Sequence, residues 1–234
     1  QTAFVARGGA RGVWSAGMRL IAFGASGQCG RHLVQLADAA GHAVTAVVRE
    51  GTEFVAPRGV AVVRGDPTDA RFVARVMPGH DAVASGLGIK RRNPANPWSK
   101  LASPPDLCSR AARNIVAGMQ AAGLRRVCAI SAAGVGESAA RMNWLMKFFV
   151  ATSSVGAGYR DLAAMEQVYA DSGLDWQTPR PTRLTDEPAT GGGGLVETPE
   201  DAPSWDDLVD GWAVVREAVY SGAIAGATLG FLSV

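Results

Sequence analysis

The tightest constraint on this chain is a short apolar run, Arg19 to Phe23 (RLIAF), that turns on glycines directly into a helical pattern. The turn is Gly24-Ala25-Ser26-Gly27-Gln28-Cys29-Gly30, and residues 28–40 then carry Leu33, Leu36, Ala37 and Ala40 at helical spacing. Strand, glycine turn and helix in immediate succession are the context in which such a motif means more than a tight bend. Gly24 permits the sharp turn, Gly27 lets backbone N–H groups approach a pyrophosphate, and Gly30 lets the helix pack closely on the strand. The helix start adds partial positive charge, and Ser26 adds a hydroxyl. Gln28 and Cys29 complete the loop, Cys29 as a small residue rather than a reactive thiol. A dinucleotide is the ligand this arrangement suits.

The same alternation continues. Strands are expected at Ala43–Val48, Val60–Val63, Ala82–Ser85, Val127–Ile130, Asp175–Thr178 and Thr228–Leu232. Helices are expected over Asp69–Met77, Asp106–Ala122, Asp161–Ser172 and Asp206–Ser221, several closed by glycine (Gly41, Gly123, Gly173). Repeated β–α–β units need crossover helices, so the expected fold is α/β: a doubly wound parallel sheet in three α/β/α layers. Residues 18–234 are expected to form one domain. Residues 1–17 contain no acid and break every apolar stretch with glycine or arginine, and are expected to be a flexible extension.

Charge and composition exclude several classes. The net charge of +2 disfavours nucleic acid as a partner. The Lys90-Arg91-Arg92 triplet suits a solvated loop. Three cysteines (Cys29, Cys108, Cys128) and three histidines show no metal-ligand spacing and no disulfide framework, so no metal is expected and a reducing, cytoplasmic setting is. No apolar run reaches the ~18 residues of a membrane span. A small-molecule partner is expected, with the chain a monomer or homodimer.

Further candidates lie at the carboxyl ends of the strands, where ligands of such sheets bind. The second strand ends in Val47-Val48-Arg49. An acid there would take the ribose hydroxyls of NAD, whereas Arg49 suits the 2′-phosphate of NADP, so NADP(H) is expected over NAD(H), although Glu50 follows it. The third strand leads to Asp66-Pro67, placed for the adenine edge, and the fourth to a second glycine turn, Ser85-Gly86-Leu87-Gly88.

The segments G-A-S-G-Q-C-G, V-V-R, R-G-D-P-T-D, A-A-R-N-I-V-A-G-M, V-C-A-I-S-A-A-G and R-P-T-R-L-T-D together resemble the atypical short-chain dehydrogenase/reductases. The nearest groups are the NAD(P)H-binding reductases similar to flavin/biliverdin reductase B and the NmrA-like regulators, over Met18 to about Asp186. The resemblance implies a Rossmann fold, with Ser131 and Ala132 beside the nicotinamide and Pro181 and Thr182 closing over it. The Tyr-x-x-x-Lys pair of many short-chain dehydrogenases would fall on Gly158 and Leu162. Tyr159 is one position away, and Ala163 stands four residues after it, so the pair is absent. Glu53 stands where many members carry a second basic residue.

The expected function is therefore an NADPH-dependent reductase passing hydride to a flat conjugated small molecule such as a flavin or quinone, which needs positioning more than a strong protein acid. Ser131 and Tyr159 are the candidate catalytic groups. Segments 89–105, 137–158 and 183–205 are expected to cover the acceptor, with Trp98, Trp144, Met146 and Phe148 as its apolar walls. The alternatives are a non-catalytic NADP(H)-sensing regulator and an oxidoreductase or isomerase of secondary metabolism.

Overall fold

A computed structural model describes residues 17–181, 184–185, 219–220, 228 and 232. The order is β1 (Arg19–Phe23), α1 (Gln28–Ala39), β2 (Ala43–Val48), β3 (Ala61–Arg64), α2 (Ala70–Val76), β4 (Ala82–Ser85), α3 (Leu107–Ala122), β5 (Arg126–Ala129), a 3-10 turn (Gly136–Arg141), α4 (Trp144–Thr152), α5 (Val155–Ala170) and β6 (Asp175–Gln177). The two-residue strands β7 (Leu184–Thr185) and β8 (Val219–Tyr220) pair in parallel apart from the main sheet.

The main sheet has six strands in the order β3-β2-β1-β4-β5-β6, all parallel. Its central strands β1, β4 and β5 are short runs buried almost throughout because both faces are covered, whereas the edge strand β3 is largely exposed. Successive residues feed opposite layers. Ile21, Phe23, Val83, Val127 and Ala129 join a core with α2, α3 and α5, while Leu20, Ala22, Ala84 and Cys128 join a second core with α1. The order in which strands are added reverses at β1 and β4, which are parallel hydrogen-bonded neighbours although α1, β2, β3 and α2 separate them in sequence. Ligands of open α/β sheets bind beyond the strand ends at such a switch point.

Several elements differ from the sequence expectation. α5 begins at Val155 rather than Asp161. Gly156 and Gly158 argue against a helix by propensity, but packing decides: a Cβ on Gly156 would overlap the Val150 carbonyl, so glycine lets α4 and α5 meet at a tight corner. Residues 137–158, expected as a covering loop, are instead the 3-10 turn, α4 and the start of α5. Val219 and Tyr220, expected in the last helix, form β8, and Thr228 and Leu232, expected in a last strand, are helical. Leu232 is buried in the α1-side core. The rest of the 206–234 expectation, residues 1–16 and most of 183–205 lie outside the described residues.

The buried side chain of Asp161 does the work of an absent helix cap. Asp106 precedes α3 but gives it no side-chain cap. Asp161, on α5 and 4% exposed, accepts the Cys108 N–H at 2.7 Å and the Ser109 N–H at 3.0 Å. Two orphan donors of α3 are thereby satisfied from a different helix. Asp161→Ala is expected to lower stability by about 2 kcal/mol, because it strands buried donors. Asp106→Ala should stay within about 0.5 kcal/mol of the parent. Urea unfolding of both variants checks the contrast; equal losses would remove the role of Asp161.

Among the described residues no helix is long and apolar enough to cross a membrane, and no group of three or more His, Cys, Asp or Glu could hold a metal ion.

Candidate functional site

The glycine turn after β1 stands against the glycine turn after β4. Gly24 has φ +74, and a Cβ there would lie 2.9 Å from both the carbonyl carbon and the oxygen of Gly86. The close backbone approach leaves no room for a side chain at Gly24. The turn closes by the Gly27 N–H donating to the Gly24 carbonyl at 2.9 Å. A Cβ on Gly27 would sit 3.1 Å from that same oxygen and 3.5 Å from the Gly86 carbonyl oxygen, and one on Gly30 would overlap the Gly24 oxygen outright. α1 opens at Gln28 behind Gly27, with no side-chain cap and no acid in its first turn. No acid of its own first turn neutralises its positive end, which suits an anion. Ser26 and Gln28 are half-buried beside it, and Cys29 and Gly30 are buried.

Toward the β3 side, Arg49 is exposed at the end of β2, and no acid pairs with it among the described residues. Its backbone is fixed: Arg64 donates from one guanidinium nitrogen to the Arg49 carbonyl at 3.3 Å and to the Thr52 carbonyl at 2.9 Å. Glu50 and Glu53 are exposed in the same turn. Asp66 uses one carboxylate oxygen to accept the Thr68 N–H and hydroxyl, each at 2.8 Å. The side-chain amide of Asn114 on α3 donates to the buried Pro67 carbonyl at 3.0 Å, which anchors this turn to the helix layer. Ser85 is buried at the end of β4, Gly86 and Leu87 are half-buried and Gly88 is exposed, so the turn rises from the core toward the sheet edge.

At the other end the chains after β5 and β6 run side by side. The Ser131 N–H donates to the Pro179 carbonyl at 2.8 Å and the Ala133 N–H to the Pro181 carbonyl at 3.0 Å. These bonds bring Ser131, Ala132 and Pro181 side by side; Thr182 lies outside the described residues. The proline-interrupted segment still pairs because it uses its carbonyls, not the N–H that proline lacks. The Ser131 hydroxyl is buried, with no hydrogen-bond partner among the described residues. An orphan of this kind at a strand end is uncommon and suits a ligand group. Tyr159 packs its ring against the same loop, 3.1 Å from where a Gly134 Cβ would be, and burial raises its phenol above the ordinary value. It therefore stays protonated at neutral pH and is a donor rather than a base. Leu162, where a lysine would complete the dehydrogenase pair, packs against the core instead.

Sequence reasoning missed the polar centre of this end. Arg180, 8% exposed between Pro179 and Pro181, holds two carboxylates at once. It donates to Glu166 of α5 at 2.9 and 2.6 Å and to Glu137 of the 3-10 turn at 2.7 and 3.0 Å. Burial alone would lower the Arg180 pKa, but the Glu166 and Glu137 hydrogen bonds outweigh it and hold the guanidinium charged. Hydrogen bonding from Arg180 in turn holds the Glu137 carboxyl below its usual range. The available signal was an arginine between prolines beside a strand, with Glu166 on the inward face of a helix.

Residues 89–105 are an ordered ribbon rather than a plain loop: Arg91 bridges Leu101 antiparallel, the Arg92 N–H donates to Lys100 and the Ala102 N–H to Lys90. Its tip leans on α4 and α5, with the Ser154 N–H and hydroxyl both donating to the Pro97 carbonyl and Trp98 meeting Phe149 edge-on at 5.9 Å. The two expected covering segments thus touch. Trp98, Trp144 and Phe148 remain 62, 77 and 60% exposed and Met146 is half-buried, so these apolar groups face outward from the body rather than filling its core.

The profile of the NAD(P)H-binding family matches residues 24–219. Among solved structures, ChuY of Escherichia coli O157:H7, described as an anaerobillin reductase, is similar with a TM-score of 0.67 at 23% identity, over 89% of this chain and 87% of that one. A short-chain dehydrogenase/reductase of Veillonella parvula in complex with NADP gives 0.65 at 18% identity, over 90% and 84%. A Bacillus halodurans protein described as a putative NAD-dependent epimerase/dehydratase gives 0.64 at 17%, over 91% and 86%. At these identities the likeness is one of fold, and the fold is the NAD(P)-binding Rossmann arrangement expected from the sequence.

Proposed function

This chain belongs to the NAD(P)H-binding family, and from that premise we propose that it is an NADPH-dependent reductase of a flat conjugated small molecule. The observation that carries the reading is the close meeting of two glycine turns at the switch point, beside the uncapped start of α1: a Cβ on Gly24 would lie 2.9 Å from the Gly86 carbonyl, and one on Gly27 would lie 3.1 Å from the Gly24 oxygen. The turn Gly24 to Gly30 would hold the pyrophosphate through backbone N–H groups, the Ser26 hydroxyl and the start of α1. Arg49 would take the 2′-phosphate, and Asp66 with Pro67 would meet the adenine. Ser85 to Gly88 would line the middle of the groove. Ser131, Ala132, Pro181 and Thr182 would position the nicotinamide, the orphaned Ser131 hydroxyl serving its carboxamide or the acceptor.

When bound, the coenzyme supplies the hydride, and a conjugated acceptor disperses the resulting charge. Such an acceptor needs only orientation and exclusion of water from the chain, which suits a site lacking the tyrosine–lysine pair. Tyr159, neutral and beside Gly134, would be the proton donor at this end. Trp98, Trp144, Met146 and Phe148 offer apolar faces for a planar ring. The reductase description of ChuY, whose fold this chain shares, supports the same class of acceptor.

A second reading, a non-catalytic NADP(H) sensor, is favoured by Leu162 and Ala163 at the positions where a lysine would activate a tyrosine. Reduced-nicotinamide absorbance, followed with NADPH and a panel of flavins, quinones and linear tetrapyrroles, separates the two. Turnover with a planar acceptor is the expected result. Tight NADPH binding with no turnover across the panel would establish the sensor instead.

A further inference from the structure

We propose that Arg180 is the positioning residue of the nicotinamide end, acting through the backbone that flanks Ser131. The inference rests on the NADPH reading above.

Three segments converge on one guanidinium. Glu166 comes from α5, Glu137 from the 3-10 turn after β5, and Arg180 itself from the segment after β6. Each carboxylate takes two of its N–H groups, at 2.6 to 3.0 Å. A planar fork with five donors can satisfy two carboxylates in fixed directions; an ammonium cannot. The prolines on either side of Arg180 are the residues whose carbonyls receive the Ser131 and Ala133 N–H groups. Fixing the Arg180 side chain therefore fixes how the two strand-end segments face one another. The buried, unpartnered Ser131 hydroxyl sits on the inner member of that pair. Gly136 also stands close: a Cβ there would lie 3.0 Å from an Arg180 nitrogen, and its φ of +60 brings the turn carrying Glu137 down onto the cluster.

The cluster holds two acids for one base. Removing the arginine would leave two carboxylates without a counter-charge, so its loss would unsettle the site more than loss of either acid. The exposures also differ. The Glu166 side chain is 8% exposed and the Glu137 side chain 47%, so Glu166 forms the buried anchor and Glu137 the outer latch.

The test uses the full chain and the Arg180→Lys and Glu137→Gln variants. Calorimetry measures dissociation constants for NADPH and for 2′,5′-ADP, which lacks the nicotinamide. Emission of bound NADPH reports how firmly its ring is held, and turnover with 4-deuterated NADPH reports whether hydride transfer limits the rate. Affinity for 2′,5′-ADP should stay within about twofold in both variants, as for a distant site. Arg180→Lys should lose the NADPH emission enhancement, lower kcat by about 10- to 100-fold with little change in KM, and raise the isotope effect. Glu137→Gln, which keeps the Arg180–Glu166 anchor, should fall between the parent and Arg180→Lys, and judges the proposal should the lysine variant not fold. Unchanged emission and kcat would overturn it, as would a parallel loss of 2′,5′-ADP affinity, which would mark a purely structural role. If the parent holds the nicotinamide firmly yet turns over no acceptor, the reductase reading fails and the emission result still decides this one. If the parent binds neither ligand, both fail together.

Discussion

Gly27→Val is expected to yield a folded protein that has lost at least about 100-fold in NADPH affinity, since a blocked phosphate cradle forfeits several charge-assisted hydrogen bonds worth about 1.5–3 kcal/mol each. The position is chosen for its backbone. Gly27 has φ −73 and ψ 170, a conformation any residue adopts, so valine brings no dihedral strain. Its first side-chain carbon would sit 3.1 Å from the Gly24 oxygen and 3.5 Å from the Gly86 oxygen, between the two glycine turns. Gly30→Val is the contrasting variant: there the Cβ overlaps the Gly24 carbonyl beneath the helix, and loss of the fold itself is expected. Circular dichroism and calorimetry on both variants check the pair. Retained nucleotide affinity in a folded Gly27→Val protein would take the loop out of the site.

Arg49→Glu is expected to weaken NADPH by about 100-fold or more while leaving NADH within a few-fold, because the substitution removes a charge-assisted contact and opposes the 2′-phosphate with like charge. The structure favours such a reader: Arg49 is exposed at the sheet edge, and the Arg64 side chain fixes the Arg49 backbone. Glu50 and Glu53 in the same turn make the preference depend on this one cation more than it would in a turn with two. Equal weakening of both coenzymes would assign the 2′-phosphate elsewhere and leave the cradle intact.

The parts of the fold legible in sequence were those set by local pattern. The β1 turn and α1, the β-branched run of β2, and the glycine that closes α3 all declare themselves through residues adjacent in the chain. Parallel topology followed from the alternation alone. What was not legible depends on partners far away in sequence. No local signal tells that Asp161 caps α3, about fifty residues before it, or that Gly156 is there to admit the Val150 carbonyl rather than to break a helix. The Arg180 cluster was hidden for the same reason, its three members lying on three elements. α4 was misread as loop because its residues WLMKFFVAT make no amphipathic stripe, and none of them is buried. Thr228 and Leu232, the two ends of a β-like run in the sequence, are helical.

The meeting of Gly24 with Gly86 carries a consequence for how the protein matures. One wall of the proposed nucleotide seat is synthesised some sixty residues after the other, and β4 must insert beside β1 before the two can touch. Contacts so far apart in sequence form late in a folding reaction. A nascent or truncated chain ending before residue 82 would possess the whole glycine fingerprint yet only half a seat. Coenzyme capture thus becomes a readout of completed sheet assembly, and added nucleotide would protect only molecules in which the central strand has already docked.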